Sequence, residues 1–376
     1  MSSESVAATI RESADRRLPL RIAGRSHWLA AGRPVNAQKP LSLADDTGVV
    51  DYTPGDLTLT VRAGTPLSEI ERVTGEHSQW LPLDPYGDSD GTIGATIATA
   101  SSGPLATAFG TPRDLLLGIE FVTGRGEIVR AGGKVVKNVA GFDLSRLLTG
   151  SWGTLGVITE ATLRLYSRPK SDRTLAVRLA RNPPESANFL EHLNGAPLSP
   201  LALEVVSASI AKSLGLGDQP LCLIRLGGNS AAVDFQLIAL SRIARTDEVD
   251  AGVWDSLRAL EGDADFVIRL SGLPASVRAA AGAMLSDSIP GVYTSINLAR
   301  GVVRIVVTNA ASASAGELTT AGLALDRPVE GSFVFERLPP DAWKSISPTV
   351  VSDPLSQGIK KAYDPLNLLN PGILGD

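Results

Sequence analysis

Apolar and polar positions alternate along the first 170 residues in short runs. The spacing predicts an amphipathic helix over 5–16, followed by LPLRIAG as a strand ending at Gly24. VVDYT and LTLTVRAG read as two strands joined through Pro54-Gly55, a strong turn pair. Thr65 is expected to cap a helix with Pro66 at its first position and Glu69 in its first turn. QWLPLDP reads as a returning strand, and GTIGATIATASSGP as a run of small residues. DLLLGIEFVTGRGEIVRAGG predicts a hairpin around Gly124-Arg125-Gly126, and TEATLRLYSRPK closes the segment near residue 170.

From about 171 the pattern changes. Strand runs (TLAVRLA, LCLIRL, DFVIRL, GVVRIVV) alternate with helical ones (DFQLIALSRIAR, VWDSLRAL, ASVRAAAGAML). This reads as a separate α+β domain with helices on one face of a sheet. Residues 310–322 read as a loose helix, and IKKAYDPLNLLNPGILGD as a helix followed by prolyl turns. A chain of 376 residues is long for one core, so two domains is the default.

Composition narrows the classes. Hydrophobic content of 43% with 20% charged residues fits an ordinary globular chain. The net charge is −5 and no basic run occurs, so nucleic acid is not an expected partner. MSSESVAATIRESADRR has no apolar core of a secretory signal, and no 18 apolar residues run together. Cys222 is the one cysteine. It sits in an apolar strand and is expected to be inert core. One thiolate cannot hold an iron–sulfur cluster.

The chemistry concentrates in three glycine clusters. They are Gly24-Arg25-Ser26-His27 with Gly32, Gly91 to Gly103, and GGKVVKNVAGFDLSRLLTGSWGTLGVI from Gly132 to Ile158. Bare backbone allows close approach to a ligand, and successive N–H groups can cradle an anion. No G-x-x-x-x-G-K-[ST] occurs, and Gly150-x-x-Gly153-x-x-Gly156 does not fit G-x-G-x-x-G. From pattern alone the clusters hold a pyrophosphate-like ligand in an unusual fold, or they are tight turns and packing contacts.

The order of these segments resembles the FAD-binding domain of the vanillyl-alcohol-oxidase superfamily. RIAGRSHWLAAGRPV is similar to its pyrophosphate loop, LPLDPYGDSDGTIGATIATASSGP to its second flavin segment, and DPLNLLNPG to the tail that returns to the flavin. FGTPRDLLLGIEFVTGRGEIV is similar to its next strand pair, and the Gly132–Ile158 stretch resembles a signature of the FAD-binding subunit of bacterial glycolate oxidase. The resemblance is strong over 18–170 and weak over the middle of the chain. It implies an α+β fold: a PCMH-type FAD-binding domain of two small α/β subdomains over 1–170, an α+β cap with an antiparallel sheet over 171–350, and a tail over 351–376 returning to the FAD domain. The FAD-binding residues it implies are Gly24, Arg25, Ser26 and His27; Pro85, Thr92, Ile93 and Gly94; Ser101, Ser102 and Gly103; Gly141 and Asp143; and Gly153, Gly156, Val157, Ile158 and Asn370. Arg25 stands where the family usually has glycine, and either pairs with phosphate or points to solvent. Ser101 and Ser102 replace an Asn-rich version of the second segment. His27 lies two positions beyond the histidine that covalent members link to flavin, so non-covalent FAD is expected.

Hydroxy-acid oxidation needs a base of matched pKa, usually histidine or a metal-bound group. The chain has three histidines, His27, His77 and His192, with no H-x-H or H-E-x-x-H, so no metal site is expected. Arg225, Arg269, Arg300 and Arg304 alternate with apolar residues on strands and read as a solvated sheet face. No catalytic residue is assigned. The resemblance implies a subunit of a glycolate (2-hydroxy acid) oxidase, with a sister flavin subunit and an iron–sulfur subunit as partners. A cytoplasmic location is expected, with membrane contact only through those partners. A self-sufficient flavoenzyme acting on another hydroxy acid, alcohol or sugar, and an assembly subunit that has lost flavin, remain as alternatives.

Overall fold

The computed structural model describes residues 2–26, 29–37, 39–87, 90–133, 143–262, 264–286, 291–308, 331–346 and 353–375. The expected loose helix at 310–322 lies outside them. The chain divides into two units. One comprises Met1–Ser102, Phe109–Arg168 and Trp343–Asp376; the other Gly103–Ala108 and Pro169–Ala342.

The first unit opens with the helix Ser3–Arg16, capped by Ser2, whose hydroxyl accepts from the Ser5 N–H, and closed by Arg17 at φ 51°. Val6, Ala7 and Ile10 form its fully buried stripe. A polar clamp ties the helix to the sheet. The buried Glu120 carboxylate accepts from Ser3 Oγ and, at 2.9 Å, from Thr159 Oγ1. At the hairpin turn, Gly126 adopts φ +73° with its Cα against Arg11 and the Ala7 carbonyl, so a side chain there would meet both.

A five-stranded antiparallel sheet runs in the order Val49–Thr53, Thr58–Arg62, Val157–Arg164, Leu116–Val122, Ile128–Gly132. The hairpin 116–132 is the one read from the sequence. Phe121, Val122, Leu59, Val61, Ala161 and Leu163 form the middle of the unit's core. A separate parallel pair joins Leu20–Ala23 to Lys39–Ser42.

Three local expectations change. Pro66, not Thr65, is the N-cap, and the helix runs Leu67–Gly75. The Thr65 hydroxyl is engaged instead by Gly48, accepting from its N–H at 2.9 Å and facing its carbonyl at 3.3 Å. Of QWLPLDP only Gln79–Trp80 is strand, paired with Tyr166–Ser167. The small-residue run contains a helix, Ile93–Thr99, because Thr92 caps it and Ile93 and Ile97 bury one side.

The second unit is built on an eight-stranded antiparallel sheet: Asp247–Glu248, Ser171–Arg178, Leu221–Gly228, Ala202–Val206, Val292–Asn297, Val302–Val307, Phe266–Gly272 and Gly331–Arg337, in spatial order. Ala176, Ala202, Val206, Leu221 and Leu223 pack on helices Ala208–Ser213 and Val253–Ala259. Strand positions of the opposite parity, such as Val205, Cys222, Ile224 and Ile296, are fully buried as well. Both faces are therefore covered, rather than one.

Candidate functional site

A cleft lies within the first unit, and four of the segments that line it are far apart in sequence. The strand Leu20–Ala23 runs into the turn Gly24-Arg25-Ser26, with Ser26 at φ 70°. Opposite are Gly91, Thr92 and Gly94 at the start of the helix Ile93–Thr99. Trp152, Gly153, Gly156 and Ile158 form a third wall, and Asn370 and Ile373 of the tail a fourth.

Asn370 staples three of these walls together. Its side-chain carbonyl accepts from the Ile22 N–H at 2.8 Å, its amide donates to the Trp152 carbonyl at 2.8 Å, and its own N–H donates to the Leu20 carbonyl at 3.0 Å. It holds φ 45°, a left-handed conformation that asparagine tolerates better than most residues. Its side chain thus sets the shape of the cleft by binding backbone.

The walls are close enough to demand glycine. A Cβ on Gly24 would collide with the Thr92 side chain. On Gly94 it would lie 2.7 Å from Ala63 Cβ and 2.9 Å from the Ala63 carbonyl, which already accepts from the Gly94 N–H at 2.8 Å. Gly94→Val is expected to force the helix Ile93–Thr99 off the strand and open the cleft. Its flavin content after purification, read as the 450 to 280 nm absorbance ratio, should fall to near zero. Full retention would show that the cleft is not where flavin binds.

The lining suits a dianionic dinucleotide. Among the described residues the main-chain N–H groups of Gly24, Arg25 and Ser26 meet no acceptor, and no carboxylate lines the cleft. These donors can therefore serve a ligand, whereas the first turn of the helix Ile93–Thr99 cannot. Its Ile93, Gly94 and Ala95 N–H groups are already taken by Thr65, Ala63 and Thr92.

Of the residues expected at the cofactor, Gly24, Arg25, Ser26, Thr92, Gly94, Gly153, Gly156, Ile158 and Asn370 line this one cleft. Ile93 and Val157 are instead core, their side chains buried. Pro85, Ser101 and Ser102 stand outside the lining. Gly103 belongs to the other unit. Asp143 is exposed, capping the helix Leu144–Leu148 through the Arg146 N–H at 3.0 Å and pairing with the Arg146 guanidinium. His27 and Gly141 lie outside the described residues. Arg25 lines the cleft, and its guanidinium pairs with Asp90, which Ser68 also holds at 2.8 Å, a partner that the sequence did not show. Sequence reasoning missed Arg21, which enters the cleft from the first strand.

Neither described histidine is placed as a base at this cleft. His77 stacks edge-on against Tyr52 at 5.3 Å, and His192 Nδ1 lies 2.7 Å from the Asn188 carbonyl on its own helix. Of the four arginines read as a solvated face, Arg300 is exposed beyond the strand Val292–Asn297, but the other three are paired. Arg304 is buried between Glu261 and Glu336, and Arg269 bonds Glu336 at 2.7 Å. Arg225 forks onto Asp172, with contacts of 2.7 to 3.2 Å. The pattern misled because each partner comes from a distant strand or loop. Burial pushes the Glu261 carboxyl up to about 6 against the pull of Arg304. Burial, with Glu204 nearby, pushes the Cys222 thiol up as well, consistent with inert core. Among the described residues no helix is long and apolar enough to cross a membrane.

Comparison with known proteins identifies the cleft's unit. The FAD binding domain family matches residues 1–132. Glycolate oxidase subunit GlcE of Escherichia coli is 34% identical over 235 residues, which cover 62% of this chain and 67% of that protein. Glycolate oxidase subunit GlcD of Bacillus subtilis is 30% identical over 204 residues, 54% of this chain and 43% of that protein. The fold matches that of 4-ethylphenol oxidase from Gulosibacter chungangensis with a TM-score of 0.72 at 15% identity, covering 100% of this chain and 88% of that one.

Proposed function

The chain belongs to the PCMH-type FAD-binding family that includes the FAD-binding subunit of bacterial glycolate oxidase, and from that premise we propose that it is such a subunit. It is an FAD-dependent oxidoreductase acting on the CH–OH group of a hydroxy acid. In the proposed reaction glycolate becomes glyoxylate, in the cytoplasm, in a complex with a sister flavin subunit and an iron–sulfur subunit. The identity to GlcE is the observation that carries this reading.

Bound FAD supplies a two-electron acceptor for the carbinol carbon. The chain's own part is to grip and orient it. The N–H groups of Gly24, Arg25 and Ser26, which meet no acceptor among the described residues, would hold the phosphates, and Asn370 keeps the walls at their spacing. Hold by main-chain groups fits non-covalent FAD. Two features favour dependence on partners. Cys222 is the one cysteine and is buried, so onward electron transfer through iron–sulfur chemistry requires another chain. Phe235 and Ile238, one turn apart on the helix Ser230–Ser241, are exposed apolar side chains of the kind that subunits cover.

An anaerobic visible spectrum of the isolated chain, before and after glycolate, tests the proposal. The expected result is an oxidised flavin spectrum that glycolate leaves unchanged until the sister subunit is added. The flavin should be released by denaturation. Bleaching of the isolated chain would establish a self-sufficient enzyme. A colourless chain that takes up no FAD would leave only an assembly role.

A further inference from the structure

Arg21 lines the FAD cleft, and among the described residues no charge answers it. Arg21 lies on the strand Leu20–Ala23, immediately before the Gly24–Ser26 turn, and its side chain lines the cleft. Its Nη2 donates to the Leu29 carbonyl at 3.1 Å. Its Nη1 is fully buried and meets no acceptor among the described residues. Arg25, which also lines the cleft, is held by Asp90, and among the described residues no carboxylate lines the cleft to take Arg21. Burial lowers the Arg21 pKa with no neighbouring charge to offset it. A buried donor without a partner is destabilising, more so for a charged group, so such an arrangement persists where a ligand completes it.

We infer that Arg21 is the counter-cation of the FAD pyrophosphate, adding a charge-assisted hydrogen bond to a grip otherwise made by main-chain N–H groups. The inference rests on the FAD reading of the cleft. It is specific about which part of the cofactor is met: Arg21 lines the same cleft as Gly24, Arg25 and Ser26, whose N–H groups meet no acceptor among the described residues, so anionic oxygens there would find several donors at once. It also separates two arginines four residues apart, one a ligand to phosphate and the other committed to Asp90.

The test compares the full-length parent with Arg21→Met and Arg21→Lys, measuring dissociation constants for FAD, ADP and riboflavin by titration calorimetry and the melting temperature of each apo-chain. Arg21→Met should weaken FAD and ADP by about tenfold or more. Riboflavin, which has no phosphate, should bind as to the parent. Arg21→Lys should fall between. Because Arg21→Met removes an unanswered buried charge, its apo-chain should melt no lower than the parent's. The inference is overturned if Arg21→Met binds FAD and ADP as tightly as the parent. It is equally overturned if the apo-chain melts markedly lower and all three ligands weaken together, which is the mark of a structural role. A loss confined to riboflavin and FAD would place Arg21 at the flavin ring instead. A parent that binds neither FAD nor ADP would overturn the FAD reading itself, an outcome separate from any difference between variants.

Discussion

Asp364→Ala is expected to release the C-terminal tail and to empty the cleft of FAD. Asp364 follows the helix Pro354–Tyr363, and its side chain is fully buried. One carboxylate oxygen accepts from the Leu368 N–H at 3.0 Å. The other accepts from the Leu369 N–H at 2.9 Å and from the Lys360 ammonium at 2.8 Å. Those bonds turn the chain so that Leu368 and Leu369 enter the core and Leu368 accepts from the Leu20 N–H at 2.7 Å. Asn370 follows and staples the cleft. Gly124 packs directly on the Asp364 backbone and donates its N–H to the Tyr363 carbonyl at 2.9 Å, so the turn is fixed from both sides. Alanine strips the acceptor from two buried N–H groups and a charge partner from Lys360. At about 1–3 kcal/mol for each unsatisfied group, the loss should reach about 3–5 kcal/mol. Urea unfolding would read that loss directly, and the 450 nm absorbance of gel-filtered protein would read the flavin. Asp364→Asn keeps one acceptor and should lose less of both. A variant with unchanged midpoint and full flavin would show that the tail holds its place without this residue.

The elements that could be read from the sequence are those whose partners are close along the chain. The hairpin 116–132 carries its own turn signal, and the N-terminal helix shows its buried stripe in Val6, Ala7 and Ile10. The helix Ile93–Thr99 did not announce itself, because Gly94, Ala95 and Ala98 give no apolar rhythm and its support comes from Ala63 and Thr65. At the cleft the glycines were legible as bare backbone, since Gly24 and Gly94 are glycine for steric reasons. The side chains were not. Arg21 looks like any polar position of a short strand, and only the fold shows that its Nη1 is buried with no partner among the described residues. Arg25 could not be paired with Asp90, 65 residues away, from spacing alone. The same limit explains the strand arginines, whose alternation is that of a solvated face until the neighbouring strands are known.

Arg304→Leu should be the most damaging change in the second unit, and its cost should grow with pH. Arg304 lies on the strand Val302–Val307 opposite Arg269, and its guanidinium joins two carboxylates. Nε donates to Glu261 at 2.6 Å and Nη2 to Glu336 at 2.7 Å. Arg269 supports Glu336 from the neighbouring strand, and Arg337 bonds the Glu261 carbonyl at 2.6 Å. The two acids respond to this setting in opposite directions. Burial raises Glu261 from its ordinary 4.5 to about 6, beyond what Arg304 recovers. Burial also pushes Glu336 up, but Arg304 and Arg269 outweigh it and the net shift is downward. For Glu261 the folded chain binds the proton more tightly than the unfolded one. Its contribution is therefore favourable below about pH 4.5 and is lost as pH rises through 6, by about 2 kcal/mol. For Glu336 the sign reverses: its contribution is present above the ordinary carboxylate pKa and fades as pH falls through its lowered value. Removing Arg304 takes the shared cation from both, so Glu336 loses its main support and both acids favour the protonated form. Breaking a buried ion pair from one side costs about 3–5 kcal/mol. That full cost should appear near pH 8, where both groups must ionise, and should shrink near pH 5, where protonation relieves them. Urea unfolding of parent and variant at the two pH values, followed by the fluorescence of the buried Trp254, measures it. A small loss independent of pH would mean that the two carboxylates keep their places without Arg304.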